Sequence, residues 1–120
     1  MASMNKPLGP YTPVVRAGDY VFVSGQLGMV DGALVDGGVA AQTTTAIENL
    51  TAQLESVGAA LTDVVKTTCF LVDMDVFATF NEAYVTGFGE HRPARSTIAV
   101  RELPASGEVE IEAIAYSPQG

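Results

Sequence analysis

The sequence has no tryptophan, one cysteine and one histidine in 120 residues, and six lysines and arginines stand against fourteen aspartates and glutamates. Each shortage excludes a class of function. A lone cysteine closes no internal disulfide, and Cys69, inside Thr67-Thr68-Cys69-Phe70-Leu71, reads as a small buried strand residue rather than a catalytic thiol. One histidine and one cysteine make no cluster with metal-ligand spacing; carboxylates alone hold only hard cations such as Mg²⁺, and no metal is expected. A formal charge of −8 repels phosphate backbones, so nucleic acid is not an expected partner. No apolar run approaches the roughly 18 residues of a membrane span. Residues 1–6 carry one lysine and no apolar leader core, so a cytoplasmic location is expected, with no membrane partner.

What is present fits one domain over residues 1–120, because a chain of this length builds one core and not two. Period-2 stretches at residues 13–17 and 20–24 flank Gly18-Asp19 and predict an N-terminal hairpin. The glycine-rich residues 28–38 leave room for a short third strand at 33–35. Ile47, Leu50, Leu54 and Val57 recur every three or four residues and predict a helix over 39–57, ended by Gly58. A strand at 64–72 follows, then a second helix, with Asp73 or Asp75 as N-cap and Phe77, Phe80, Tyr84 and Phe88 as its core stripe. Strands at 95–100 and 109–116 close the chain.

Two helices against one mixed sheet make an α+β layer arrangement, and two helices cover only one face. In the last strand Val109, Ile111, Ala113 and Ala115 share one face, while Glu110, Glu112, Ile114 and Tyr116 share the other. A second copy of the chain is the economical cover for that mixed face, and it would trap Glu110 or Glu112 at a subunit boundary.

Several residues are chemically suggestive without deciding a function. Alternation puts Arg95 and Thr97 on one face of their strand, opposite Ser96 and Ile98. A guanidinium in that apolar setting serves either to grip a carboxylate bidentately or to pair with an internal acid. Glu112, between Ile111 and Ala113, is a candidate general base, a solvated outer-face residue or an ion-pair partner of Arg95. Gly25, in Ser24-Gly25-Gln26, permits close approach of a ligand to the backbone, although such a triplet is common in turns. No Gly-x-Ser-x-Gly elbow and no acid–histidine pairing support serine-hydrolase chemistry. His91 reads as an exposed loop residue. Asn81 points off the aromatic stripe of its helix, and Tyr11, in an extended lead-in, has a ring and hydroxyl free to line a pocket.

Four segments in order, Asp63-Val64-Val65-Lys66-Thr67-Thr68, Phe77-Ala78-Thr79-Phe80-Asn81, Pro93-Ala94-Arg95-Ser96 and Ile111-Glu112-Ala113-Ile114-Ala115, lie at a spacing that resembles the reactive intermediate deaminase family, also called RidA/YjgF-like or endoribonuclease L-PSP-like. The likeness runs from Gly9-Pro10-Tyr11 through Ser24-Gly25-Gln26 to the final strand. It implies a chorismate-mutase-like (YjgF-like) fold, a homotrimer with ligand sites between subunits, and hydrolysis of 2-aminoacrylate-type enamines or imines to 2-keto acids and ammonia without a cofactor. By position it implies that Arg95 grips the substrate carboxylate, that Glu112 orients water, and that Tyr11, Ser24, Gly25 and Asn81 line the pocket. Thr97 would contribute backbone groups. Two departures concern subgroup and substrate: Thr97 stands where many deaminating members have cysteine, and Arg92 where they have an apolar residue. A trimer that binds small keto acids without turning them over, and a ribonuclease or translation inhibitor, are the competing expectations.

Overall fold

The computed structural model describes residues 4–119; residues 1–3, which belong to the segment read above for a leader, and residue 120 lie outside the described residues. Nine regular elements follow in order: β1 Val14–Ala17, β2 Tyr20–Leu27, β3 Met29–Val30, β4 Ala33–Leu34, α1 Gly38–Glu55, β5 Val64–Leu71, α2 Phe77–Phe88, β6 Ala94–Ala99 and β7 Val109–Tyr116. The main sheet has the order β1-β2-β7-β5-β6, antiparallel except for the β5–β6 pair, whose parallel pairing is made possible by the α2 crossover. β3 and β4 pair only with each other, so the expected short third strand exists as half of a separate two-residue hairpin.

Both helices lie on one face of the main sheet. Ile47, Leu50 and Leu54 of α1 and Phe80, Tyr84 and Phe88 of α2 are buried against Val21 and Val23 of β2, Cys69 and Leu71 of β5, and Ile111 and Ala113 of β7. Phe77 departs from the expected stripe: it is 39% exposed and lies at the edge of the layer, beneath Arg95. The second helix also starts later than expected. Asp73 accepts from the Asp75 amide at 2.9 Å and so caps a single 3₁₀ turn, after which α2 proper begins at Phe77.

Among the described residues nothing covers the other face of the sheet. Val15, Tyr20, Phe22, Val65, Ile98 and Tyr116, drawn from all five strands, are each exposed by close to half. Glu110 and Glu112 sit among them. Arg16 anchors the outer edge on the helix side, its guanidinium donating to the carbonyls of Ser117 at 2.7 Å and Val57 at 2.9 Å.

Where β2 passes into β3 the backbone meets α1 directly. A Cβ at Gly28 would stand 2.4 Å from Gln42 Cα and 2.7 Å from its carbonyl oxygen, a clash that no side-chain rotation relieves. Gly28→Ala is therefore expected to destabilise the chain by about 3 kcal/mol, the upper end for an overpacked contact, measured by urea denaturation. A change below about 0.5 kcal/mol would show that α1 is free to shift.

Candidate active site

The suggestive side chains form two groups, on opposite faces of the sheet and towards opposite edges. The first is built around Arg95 on the edge strand β6. Its backbone pairs with Thr67, whose side chain is buried on the helix side, so Arg95 points the same way and lies against α2. Its Cζ stands 5.6, 5.3 and 4.8 Å from the ring centres of Phe77, Phe80 and Tyr84. Its Nη2 donates to Asn81 Oδ1 at 2.8 Å. The polar partner is thus a neutral amide, and the internal ion pair weighed from the sequence is replaced by aromatic faces and one hydrogen bond. Such surroundings stabilise a cation without neutralising it.

Below this arrangement Tyr84 Oη and Thr67 Oγ1 lie 2.8 Å apart and fully buried, which fixes the ring under the guanidinium. Burial raises the Tyr84 hydroxyl above its ordinary range, partly offset by the bond to Thr67. Cys69, on the same face, is pushed up to about 11 by burial, so its thiol stays protonated and inert at neutral pH. Thr97 follows Arg95 on this face, and its Oγ1 is buried with no partner among the described residues.

The second group surrounds a bulge in β2 between Val23 and Gln26. Here Gly25 lies so close to Glu110 of β7 that a Cβ would meet its carboxyl carbon at 2.6 Å. The Ser24 amide donates to Pro13 O at 2.9 Å and its hydroxyl to Thr12 O at 2.7 Å, which lays the N-terminal segment along the strand edge. Tyr11 closes that segment, its hydroxyl accepting from the Leu8 amide at 3.2 Å. Tyr11, Gly25 and Gln26 line a groove of about 510 Å³.

Glu110 is half-buried; burial, and then the charge of Glu112, raise its carboxyl above the usual carboxylate range. Glu112 itself is exposed. Alternation places both on one face, and only the bulge and Gly25 distinguish them; the sequence reading took Glu112 as the candidate base and named Glu110 only as a residue at the subunit boundary. Its signal was Gly25, the one position opposite β7 where a missing side chain makes room for a carboxylate.

Arg95 and Glu112 do not meet within one chain. The register Arg95–Thr67 and Thr68–Glu112 puts them on opposite faces, which removes the ion pair that the sequence left open. Arg95 and Gly25 are also separated laterally by the three strand steps from β6 to β2, roughly 14 Å at the usual spacing. His91 differs from expectation: it is half-buried, with Nε2 2.7 Å from Val64 O. Arg92 turns back to donate to the carbonyls of Gly89 and His91 at the end of α2. Among the described residues no three His, Cys, Asp or Glu side chains stand close enough to hold a metal ion, and no helix is long and apolar enough to cross a membrane.

The family model described as Endoribonuclease L-PSP matches residues 1–117. The chain belongs to this family, the RidA/YjgF family. Among RidA/YjgF relatives, a RutC family protein of Pyrococcus horikoshii is 44% identical over 113 residues, covering 92% of this chain and 90% of its own. The 2-iminobutanoate/2-iminopropanoate deaminase of Bos taurus is 43% identical over 110 residues, covering 90% of this chain and 80% of its own. Of solved RidA/YjgF structures, E. coli TdcF with bound serine superposes with a TM-score of 0.89 at 36% identity, over 94% of this chain and 92% of that one.

The raised Glu110 pKa carries a stability signature. A carboxyl raised on folding is disfavoured in its charged form, so the native state is penalised at neutral pH and relieved as pH falls through the folded value. Glu110→Gln is expected to raise the melting temperature at pH 7, with the gain fading in the ordinary carboxylate range and below. Thermal melts across pH 3–8 check this; equal melting curves for the two proteins at pH 7 would remove the penalty.

Proposed function

We propose that the chain hydrolyses 2-imino acids, formed by tautomerisation of 2-aminoacrylate-type enamines, to 2-keto acids and ammonia, in clefts between subunits of a homotrimer. The observation that carries this is the Arg95 guanidinium: charged, held by three aromatic faces and one neutral amide, and placed on an edge strand. Among the described residues Asn81 is its only side-chain hydrogen-bond partner, which leaves donors for a planar anion. The deaminase name of the bovine relative and the serine bound to E. coli TdcF agree with a small amino-acid-derived carboxylate.

The second catalytic group is proposed to be Glu110 rather than Glu112, supplied by a neighbouring copy, because the Arg95 and Gly25–Glu110 groups lie apart in one chain. The apolar open face is the surface along which copies would join, and Tyr11, Ser24 and Gly25 would close the cleft beside Glu110.

In the reaction Arg95 holds the substrate carboxylate and Glu110 accepts a proton from water as the water oxygen bonds to the imine carbon. Glu110 returns that proton, through solvent, to the imine nitrogen as the C=N π bond opens, giving a tetrahedral amino alcohol. The hydroxyl proton of this adduct is then transferred to the same nitrogen, so the C–N bond breaks and ammonia leaves as the carbonyl forms. From 2-iminopropanoate the products are pyruvate and ammonia. Backbone groups at Thr97 on the edge strand assist at the nitrogen, and the Cys69 thiol takes no part. A carboxylate whose pKa is raised by burial is a better proton acceptor than an ordinary one, and general base catalysis by such a group contributes about 10²–10⁴-fold.

Arg95→Ala is expected to abolish accelerated loss of imine generated in situ, and undiminished activity would refute its role. Glu110→Gln is expected to lower kcat at least 100-fold while calorimetry still detects binding of the keto acid product. The acid limb of the wild-type rate profile should titrate above the ordinary carboxylate range. A chain that binds keto acids and accelerates no imine loss would instead be the non-catalytic carboxylate trimer. Light scattering after size exclusion should give three times the mass of one chain, and a monomer at micromolar concentration would remove the shared cleft.

A further inference from the structure

Among the described residues two side-chain atoms are buried without a hydrogen-bond partner, Arg16 Nε and Thr97 Oγ1. The two cases differ. Arg16 bonds through its other nitrogens to the carbonyls of Ser117 and Val57, so its idle N–H is the remainder of an engaged group. The Thr97 hydroxyl is the only polar group of its side chain, and it has no bond at all. Elsewhere Thr43 and Thr51 donate to the carbonyls of Val39 at 2.7 Å and Ile47 at 2.8 Å, and Thr67 is paired with Tyr84 at 2.8 Å. A buried hydroxyl without a bond loses its hydration with nothing in exchange, and valine, of the same shape, would fill the position without that penalty.

Thr97 stands two residues beyond Arg95 on the same face of β6, about 7 Å along the edge strand. Its neighbour across the pairing is Cys69, whose thiol turns to Thr67 Oγ1 at 3.9 Å and leaves the Thr97 hydroxyl alone. Thr97 as a whole is half-buried although its hydroxyl is sealed, so the surface it shows at the edge of the sheet belongs to its other atoms. Rotations of about 120° about χ1 exchange the staggered positions on its β-carbon. The hydroxyl is thus one rotamer step from leaving the sealed layer.

In the hydrolysis proposed above, the amino alcohol moves its hydroxyl proton to nitrogen before ammonia leaves. Direct transfer closes a strained four-membered ring of O, C, N and H. A second hydroxyl placed between the two atoms enlarges that ring to six members and brings both hydrogen bonds closer to linear. We propose that the Thr97 hydroxyl is this relay: with substrate held by Arg95 it turns about χ1 towards the edge of β6, accepts the adduct's hydroxyl proton on Oγ1 and passes its own proton to the nitrogen. The C–N bond breaks with its electron pair going to nitrogen, the carbonyl forms, and the threonine hydroxyl is left as it began. This inference rests on the imine-hydrolase reading. The substrate carboxylate and the reacting nitrogen are attached to the same carbon, so a group that serves the nitrogen while Arg95 serves the carboxylate stands close to Arg95. Thr97 is the next residue on that face, and Thr67, the hydroxyl across from Arg95 on β5, is engaged by Tyr84.

The test measures kcat and KM for 2-iminopropanoate, generated in situ from D-alanine by a D-amino acid oxidase with semicarbazide competing for the imine, and the melting temperature of each variant. Thr97→Val is expected to lower kcat about tenfold with KM within about twofold, because Arg95 still grips the carboxylate while water replaces the relay less effectively. Thr97→Ser, which keeps the hydroxyl, should bring kcat back to within about threefold of wild type. The unliganded Thr97→Val protein should melt higher than wild type, since a methyl takes the place of an unpartnered hydroxyl. A wild-type kcat in Thr97→Val, or an equal loss in Thr97→Val and Thr97→Ser, overturns the relay and leaves the hydrolase standing. A fall in the melting temperature of Thr97→Val also overturns it, because the hydroxyl would then be bonded within the chain or between copies. Absence of wild-type activity on the imine overturns the hydrolase reading, and this inference with it.

Discussion

Five strands and two helices leave one face of the sheet without a cover, and the rest of the molecule is arranged around that shortage. On the covered face the aliphatic stripe of α1 and the aromatic stripe of α2 bury the inward residues of β2, β5 and β7. On the open face each strand of the main sheet contributes at least one large apolar side chain exposed by close to half. On the reading proposed above, that apolar face is the surface along which copies join. The two chemically equipped groups obey the same division: Arg95 belongs to the helix side of β6 and Glu110 to the open side of β7. The two do not meet inside one chain, so the proposed chemistry depends on the proposed self-association.

Arg95 shows how a charge is kept available at the margin of an apolar core. A carboxylate partner would neutralise it, and full burial would demand one. The fold instead gives it three ring faces and one amide oxygen, and the edge position of β6 keeps the guanidinium only half-buried. The Tyr84–Thr67 hydroxyl pair sets the tilt of the ring nearest to it. The exposed Phe77, which breaks the stripe read from the sequence, is explained by the same need, since its ring lies under a cation and outside the core.

The pattern of α1, α2 and β7 was legible because each rests on local periodicity: aliphatics every three or four residues, aromatics likewise, and strict alternation in the last strand. Arg95 and Asn81 were legible as singular polar residues beside apolar stripes, and the structure joins them. The choice between Glu110 and Glu112 was not legible. Both occupy one face of one strand, and what separates them is a bulge in β2 and the missing side chain at Gly25, fixed by pairing between residues more than eighty positions apart. His91 was misread for a related reason. Its anchor is the Val64 carbonyl, 27 residues earlier, and no local pattern announces a bond of that range.

Departures from full hydrogen bonding in this chain are not scattered at random. Gln42, Thr43, Asn49 and Thr67 are bonded as buried or half-buried polar groups ordinarily are. Among the described residues the exceptions are the Thr97 hydroxyl, Arg16 Nε, and the Glu110 carboxyl held above its ordinary range. Arg16 has a structural explanation, because its other nitrogens tie β1 to the ends of α1 and β7. The remaining two flank Gly25 or Arg95. A sequence that satisfies its polar groups elsewhere and leaves them strained or unpaired beside one glycine and one arginine gives up stability where a ligand would restore it. On that physical ground the Arg95 and Gly25–Glu110 groups are distinguished from the rest of the surface independently of any likeness to relatives.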